Sequence, residues 1–211
     1  MADRSPSEIL SAYNVSRESL AALDTYVNLL LTWQKSINLI GPSTVETVWT
    51  RHILDAVQML DLLPQGCRCV AELGSGAGIP GLVAAIAGGL EAHLYESNSK
   101  KAAFLREAIR RTGAKAEVHQ VRLESLAQEP ILPKVEVVVA RALAPLPLLL
   151  TYAEPFLRTG AIGLFHKGQD VDLELTETTK YWRLNVSKHE SVCDSRGVIL
   201  EVKGAMRVEP E

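Results

Sequence analysis

The sequence predicts an α/β protein: a doubly wound, mostly parallel sheet with antiparallel C-terminal strands and a helical N-terminal extension. Three observations predict it. From residue 67 onward, short apolar runs alternate with segments of helical length, the signature of parallel strands joined by helical crossovers. A glycine-rich turn, Gly74-Ser75-Gly76-Ala77-Gly78, follows the first of those runs directly. Beyond residue 180 the pattern changes to two β-rich stretches separated by Asp194-Ser195-Arg196-Gly197, a turn signal.

The extension, expected over residues 1–65, is read first. From Ser16 the apolar residues Leu20, Leu23, Val27, Leu30 and Leu31 recur at helical spacing. That helix is expected to run out near Asn38-Leu39-Ile40-Gly41-Pro42, where Gly-Pro is a stop. Ser43-Thr44-Val45-Glu46 matches a capping box and predicts a second helix reaching Leu63-Pro64. The remainder, 66–211, forms the second expected unit. Its strands are predicted over 68–73, 91–95, 116–120, 135–140 and 161–166, and its helices over 80–88, 98–112 and 145–158. The stretches 182–190 and 197–202 then pair antiparallel at the sheet edge.

Bulk properties narrow the function classes. A chain of 211 residues suits one domain with an extension. Its 47% apolar and 22% charged residues are ordinary for a globular protein. No apolar run approaches the roughly 18 residues of a membrane span, and the N-terminus has no apolar segment after its charges, so a cytoplasmic protein is expected. The three cysteines form no C-x-x-C pair and the five histidines no H-E-x-x-H, so no metal site is expected. A net charge of −3 argues against coating nucleic acid by charge alone, although a local basic patch is compatible with it.

The glycine turn carries the chemistry. Glycines allow a sharp turn and close approach of the backbone to a ligand. Pro80 fits the first position of the following helix, whose N-terminal amides and dipole suit a nucleotide phosphate, or the ribose and carboxylate of a cofactor without phosphate. Gly76-Ala77-Gly78-Ile79-Pro80-Gly81 is a formal G-x-G-x-x-G, with Glu96 twenty residues past Gly76, so a dinucleotide-dependent oxidoreductase is one reading. Against it, the first glycine after the strand is Gly74, and Glu72 places an acid where dinucleotide turns are apolar and methyltransferases often carry a carboxylate. Little chain is left for a separate substrate domain. The favoured reading is therefore an S-adenosylmethionine site in a class I, Rossmann-like methyltransferase, with Glu72, Gly74, Ser75, Gly76 and Gly78 in the turn. Glu96, at the end of the second strand, suits the ribose hydroxyls. Leu123 and Glu124, after the third strand, are placed for the adenine.

At the substrate end, the fourth strand runs into Val139-Ala140-Arg141-Ala142-Leu143-Ala144-Pro145. It has neither the Asn-Pro-Pro-Tyr type of motif used on exocyclic amines nor a cysteine nucleophile. Arg141 is the candidate catalytic residue; as a scaffold arginine it would pair with Glu124 or Glu96. The absence of an obvious base is consistent with guanine N7 as acceptor, since N7 already has a free lone pair. Lower-ranked substrate contacts are His52, Lys167 and the basic segment 100–115, including Lys100, Arg106 and Arg110. The bland alternatives are a structural histidine, a charged strand end and a solvated helix face. A methyltransferase for another RNA, a small molecule or a protein stays open on these residues, as does a non-enzymatic RNA-binding module.

The chain resembles the RsmG family, also called GidB. The resemblance runs from about Leu29 to Gly168 and rests on Trp33-Gln34-Lys35-Ser36-Ile37-Asn38-Leu39, His52-Ile53-Leu54-Asp55, Glu72 through Gly81, Arg141-Ala142-Leu143-Ala144-Pro145-Leu146 and Lys167-Gly168. It implies transfer of a methyl group from S-adenosylmethionine to N7 of a guanine in 16S ribosomal RNA. Because the net charge is not basic, a 30S particle is the expected form of that substrate, in preference to naked RNA. It also implies cofactor contacts from Gly74, Ile79, Leu123, Glu124 and Arg141. The chain departs from the family pattern mildly at Gln34 and Glu72, and more markedly at its tail, Arg207-Val208-Glu209-Pro210-Glu211, which lacks a basic ending.

Overall fold

A computed structural model describes residues 4–128 and 131–208. The acidic end of the tail, 209–211, lies outside the described residues. A short helix α1 (Pro6–Ile9) precedes α2 (Arg17–Gln34). The Ser16 hydroxyl caps α2 by accepting the Ser19 N–H at 3.1 Å. One face of α2 buries Leu23, Tyr26, Val27 and Leu30. The helix ends earlier than the Gly-Pro signal predicts because the Gln34 amide folds over its exit. Its Oε1 accepts the Leu39 and Ile40 amides, and its Nε2 donates to the Ile40 carbonyl.

The predicted capping box does not form. Pro42–Thr44 is a single 3-10 turn without a side-chain cap, and the Thr44 hydroxyl bonds the Gly41 carbonyl and His52 instead. The second helical stretch starts at Trp49. It passes from a π-helical segment (Trp49–Leu54) through α3 (Asp55–Val57) to a 3-10 segment (Gln58–Leu62).

Among the described residues the sheet has seven strands: β1 (Cys69–Leu73), β2 (Glu91–Tyr95), β3 (Ala116–His119), β4 (Val137–Arg141), β5 (Ile162–Lys167), β6 (Trp182–Glu190) and β7 (Val198–Arg207). Their order is β3-β2-β1-β4-β5-β7-β6. The first five are parallel, β7 is antiparallel to β5, and β6 is antiparallel to β7. β7 runs past its predicted end because it pairs with the whole of β6, from Glu190↔Val198 to Trp182↔Arg207, across an irregularity at Asn185/Val186. The crossovers are α4 (Gly81–Gly88), α5 (Ser99–Thr112) and α6 (Leu146–Leu157). Pro80 is the N-cap of α4, not its first helical residue. A further helix, α7 (Val171–Thr178), links β5 to β6. It escaped the sequence reading because it is only two turns long and leaves Leu173 exposed.

Alternation along the strands makes two cores. Val70, Leu94 and Val137 face α2, α4 and α5, while Ala71, Leu73, Tyr95 and Val138 face α6. The extension is part of the first core. Phe104 of α5 lies edge-on to Trp33 and is tilted against Tyr26, both of α2. Phe104 is fully buried, and truncating it to alanine would cost about 3–5 kcal/mol. No described helix is long and apolar enough to cross a membrane.

Candidate active site

The order of parallel strands reverses between β1 and β4, which opens a crevice at their carboxyl ends. The glycine turn occupies one wall. Gly74 has φ +65°, and a Cβ there would lie 2.5 Å from Leu143 Cδ1, so both conformation and space demand glycine. Gly78 points the other way, where a Cβ would strike Leu82 and Leu105. Its part is to let α4 and α5 close beneath the turn. Ser75 and Ile79 are likewise buried, and the Ser75 hydroxyl donates to the Glu72 carbonyl at 3.1 Å.

Glu96 is held by backbone. Its Oε2 accepts the Gly76 N–H at 2.8 Å and its Oε1 the Asn98 N–H at 2.7 Å. Each oxygen keeps further acceptor capacity, so the carboxylate is preset to take two more donors. Gly74, Tyr95, Glu96, Lys101, Leu123 and Glu124 line one cavity of about 330 Å³, within the usual range for ligand pockets. Leu123 and Glu124 begin a 3-10 helix (Leu123–Gln128). Glu124 accepts the Tyr152 hydroxyl at 3.1 Å, and bonding to its own amide and to Tyr152 holds its carboxyl below the ordinary value.

Glu72 lies beneath this floor, fully buried against Gly81. Among the described residues, neither carboxyl oxygen has a hydrogen-bond partner of good geometry. Burial pushes its pKa up to about 8, only partly offset by the nearby Gly81 amide, the Ser75 hydroxyl and Arg141. Such an acid keeps its proton near neutral pH and gives it up when a positive charge comes close, so it suits a cationic ligand nearby.

The opposite wall is made of charged side chains. Arg141 is paired, but not to Glu124 or Glu96. Its Nη1 lies 3.4 Å from Asp55 Oδ2, and its Nη2 donates to the Arg51 carbonyl at 3.0 Å. Asp55 also accepts from Gln58 at 2.7 Å and Ser191 at 3.1 Å, and its carbonyl meets half-buried His166 Nε2 at 2.9 Å. Burial lowers the His166 pKa. Arg51 in turn reaches Asp194 at 3.0 Å. Arg51, Asp55, Arg141, Lys167, Ser191 and Arg196 are among the residues lining a second cavity of about 400 Å³. Ala142 borders both cavities and has φ +49°, a conformation that costs a residue with a side chain about 1–2 kcal/mol.

Three expected substrate contacts change character. His52 is buried, with its Nε2 on the Thr44 hydroxyl at 2.7 Å. Burial and Arg141 lower its pKa to about 4, so it packs as a neutral ring instead of meeting a substrate. The Lys167 side chain is 8% exposed and is spent on Glu174 of α7 and the Ala144 carbonyl. It buttresses the crevice and leaves no free charge for phosphate. On α5, Arg110 is bound to Glu107 at 2.8 Å and Arg106 to Gln120 at 3.2 Å, while Lys100 stays exposed. Sequence reading assigned no site role to Asp55, Ser191, Asp194 or Arg196: Asp55 stands in the His52–Asp55 motif and Asp194 and Arg196 in a turn signal, but neither pattern reports a pairing between segments so far apart in the chain.

The fold is that of the class I methyltransferases. An O-methyltransferase from Bacillus cereus, solved in complex with SAH, superposes with a TM-score of 0.59 over 92% of this chain and 94% of its own, at 16% identity. A fibrillarin/Nop5p complex shares the fold at a TM-score of 0.54, over 72% of this chain and 80% of that chain. In sequence, the family described as GidB, rRNA small subunit methyltransferase G, matches residues 19–202, and the chain belongs to that family. Ribosomal RNA small subunit methyltransferase G of Methylorubrum extorquens (strain PA1) is 47% identical over 206 residues, 96% of each chain. The protein of the same name from Rhodospirillum rubrum is 48% identical over 188 residues, 89% of this chain and 92% of its own. The chain is thus a methyltransferase, and the oxidoreductase and non-enzymatic readings fall away.

Proposed function

We propose that the protein transfers a methyl group from S-adenosylmethionine to N7 of a guanine in 16S ribosomal RNA, in the cytoplasm and on a 30S particle. One observation carries the reading. Two cavities meet at Ala142, one holding an amide-fixed carboxylate and the other lined by Arg51, Arg141 and Arg196. The first suits an adenosine-type cofactor and the second a polyanionic acceptor. The names of the relatives supply the ribosomal substrate.

In the first cavity, Glu96 accepts the two ribose hydroxyls, Leu123 and Glu124 meet the adenine, and Gly74 admits the cofactor close to the turn. The turn from Ser75 through Gly76 and Gly78 to Ile79 shapes the floor, and Glu72 beneath it favours a cation above. When bound, S-adenosylmethionine supplies a methyl group made electrophilic by its sulfonium. Guanine N7 presents an unprotonated lone pair, so the residues need only align it and exclude water. Arg141 is the residue assigned to that task. Asp55 and the Arg51 carbonyl fix its guanidinium beside the junction of the cavities, where a donor can hold an acceptor base through its oxygen edge. Lys100, Arg106 and Arg110 on α5 add contact to the RNA backbone.

The test is mass-spectrometric mapping of 16S methylation in a deletion strain, with in vitro transfer of radiolabelled methyl to 30S particles, deproteinised RNA and a metabolite pool. One N7-methylguanosine lost on deletion and restored by the purified protein is expected. An unchanged 16S pattern, with label entering metabolites, would overturn the reading.

A further inference from the structure

The cysteines and histidines look scattered in the sequence, yet strand pairing gathers several of them. β2 and β3 pair in parallel with His93 opposite Glu117 and Tyr95 opposite His119. β1 brings Cys69 opposite Glu91. Because side chains alternate, Cys69, Glu91, His93, Glu117 and His119 all project from one face of the sheet. Two triads share His93: Cys69, Glu91 and His93, and His93, Glu117 and His119, each with its ligand atoms within 4.8 Å of one another.

We propose that His93 Nδ1, His119 Nε2 and Glu117 Oε2 form a binding site for a divalent transition metal, zinc first. His93 Nδ1 lies 2.9 Å from His119 Nε2. Glu117 Oε2 lies 3.8 Å from the first nitrogen and 3.9 Å from the second. The nearest point equidistant from these three atoms, in the plane they define, is about 2.1 Å from each, the length of Zn–N and Zn–O bonds. A hydrogen bond between two imidazoles accounts for the short contact between nitrogens, but it does not call for a carboxylate oxygen equally placed on both. The other nitrogen of His93, Nε2, faces Glu91 Oε1 at 3.7 Å. A carboxylate behind the non-ligating nitrogen is the usual orienting group of a metal-bound histidine. His119 is fixed in turn by Tyr95, stacked on it with centroids 4.6 Å apart.

Two imidazoles and a carboxylate favour zinc and its neighbours over calcium or magnesium, which take oxygen alone. The Cys69 triad is the weaker set. Burial and the nearby Glu91 and Glu136 push its thiol up to about 11, and it needs His93 to turn its other nitrogen to the metal. A fourth position at the proposed site is left for water. The metal would tie edge strand β3 to β2 directly behind Tyr95, which lines the cofactor cavity.

The experiment is calorimetric titration of EDTA-treated, full-length protein with zinc chloride, with cobalt(II) absorption as an independent probe of the ligands. One zinc per chain is expected, with a raised melting temperature. His119→Ala and Glu117→Gln should each weaken binding at least about tenfold, the scale seen even for orienting groups behind metal ligands. Cys69→Ser should leave affinity unchanged, and the cobalt spectrum should lack a thiolate charge-transfer band. His119→Cys should restore binding and introduce that band, which a variant that merely failed to fold could not do. No saturable zinc binding would overturn the site. So would binding that survives His119→Ala and is lost in Cys69→Ser.

Discussion

The two walls of the crevice are built on opposite plans. At the ends of β1 and β2 the wall proposed for the cofactor is backbone: glycines with no side chain to intrude, and a carboxylate tethered to two amides. At the ends of β4 and β5 the wall proposed for the acceptor is a network of charged side chains, Arg141 with Asp55, Arg51 with Asp194 and Lys167 with Glu174. Backbone donors survive side-chain substitution, so the first wall keeps its hydrogen bonds to Glu96 whichever neighbouring side chain is changed. The second wall depends on each partner, and breaking one pair strands its neighbour in a partly dry site.

The sharpest break falls on the acceptor wall. Arg141→Ala leaves Asp55 without its cation and removes the donor beside Ala142. Methyl transfer is expected to fall at least about 100-fold, the scale of removing one positioned donor, and weaker cofactor binding is expected with it. Transfer to 30S particles measures the effect, and undiminished turnover would remove Arg141 from its assigned role. On the wall proposed for the cofactor, Glu96→Gln replaces one accepting oxygen with an amide NH2 group, a donor set against a backbone N–H. SAH affinity should drop roughly 10–100-fold by calorimetry, from charged hydrogen bonds worth about 1.5–3 kcal/mol. Equal binding by wild type and variant would show that Glu96 serves the turn and not a ligand. Gly74→Ala puts a Cβ 2.5 Å from Leu143 at φ +65°. A loss of about 1–2 kcal/mol is expected in urea denaturation, small beside its effect on the cavity.

Fold and site differ in how far the sequence discloses them. Strand, turn and crossover are neighbours in the chain, so the order of elements from residue 69 to 167 follows from local alternation. The same holds for the placing of Gly74 and Glu96, each directly after a strand, and of Leu123 and Glu124, in the 3-10 turn that follows β3. The acceptor wall is assembled across the chain, with Arg51 meeting Asp194 over a separation of 143 residues, and no spacing rule reports such a pair. His52 reads as a possible contact because sequence does not reveal that α3 and its flanks turn it inward onto Thr44. Lys167 reads as a free charge because the helix carrying Glu174 is too short to announce itself.

Two smaller effects refine the contrast. Glu72 has a folded pKa of about 8 against an ordinary 4.5. The folded state therefore keeps a proton that the unfolded chain loses, and stability falls as pH rises from about 4.5 through 8. Glu72→Gln should flatten that part of the melting curve against pH; an unchanged slope would mean that Glu72 is not the group titrating. Last and smallest, Arg106→Glu on α5 should weaken RNA binding a few-fold and lower its salt dependence by about one unit of slope, without changing SAH affinity. A salt dependence identical to that of the wild type would make α5 an ordinary solvated face.

The Tyr26 hydroxyl of α2 donates to the Ala77 carbonyl, in the middle of the glycine turn, at 2.6 Å. The turn's shape is thereby recorded in a helix that precedes it by about fifty residues, with the Ser19 hydroxyl on the Ile86 carbonyl at 2.8 Å as a second tie. For protein engineering this sets a boundary. A chimera that grafts this turn and α4 onto another α/β scaffold must bring α2 along, because its shape is held in part from outside its own βα unit. The same tie makes Tyr26→Phe a handle for tuning the turn, since it removes one hydroxyl and leaves the ring packed on Phe104.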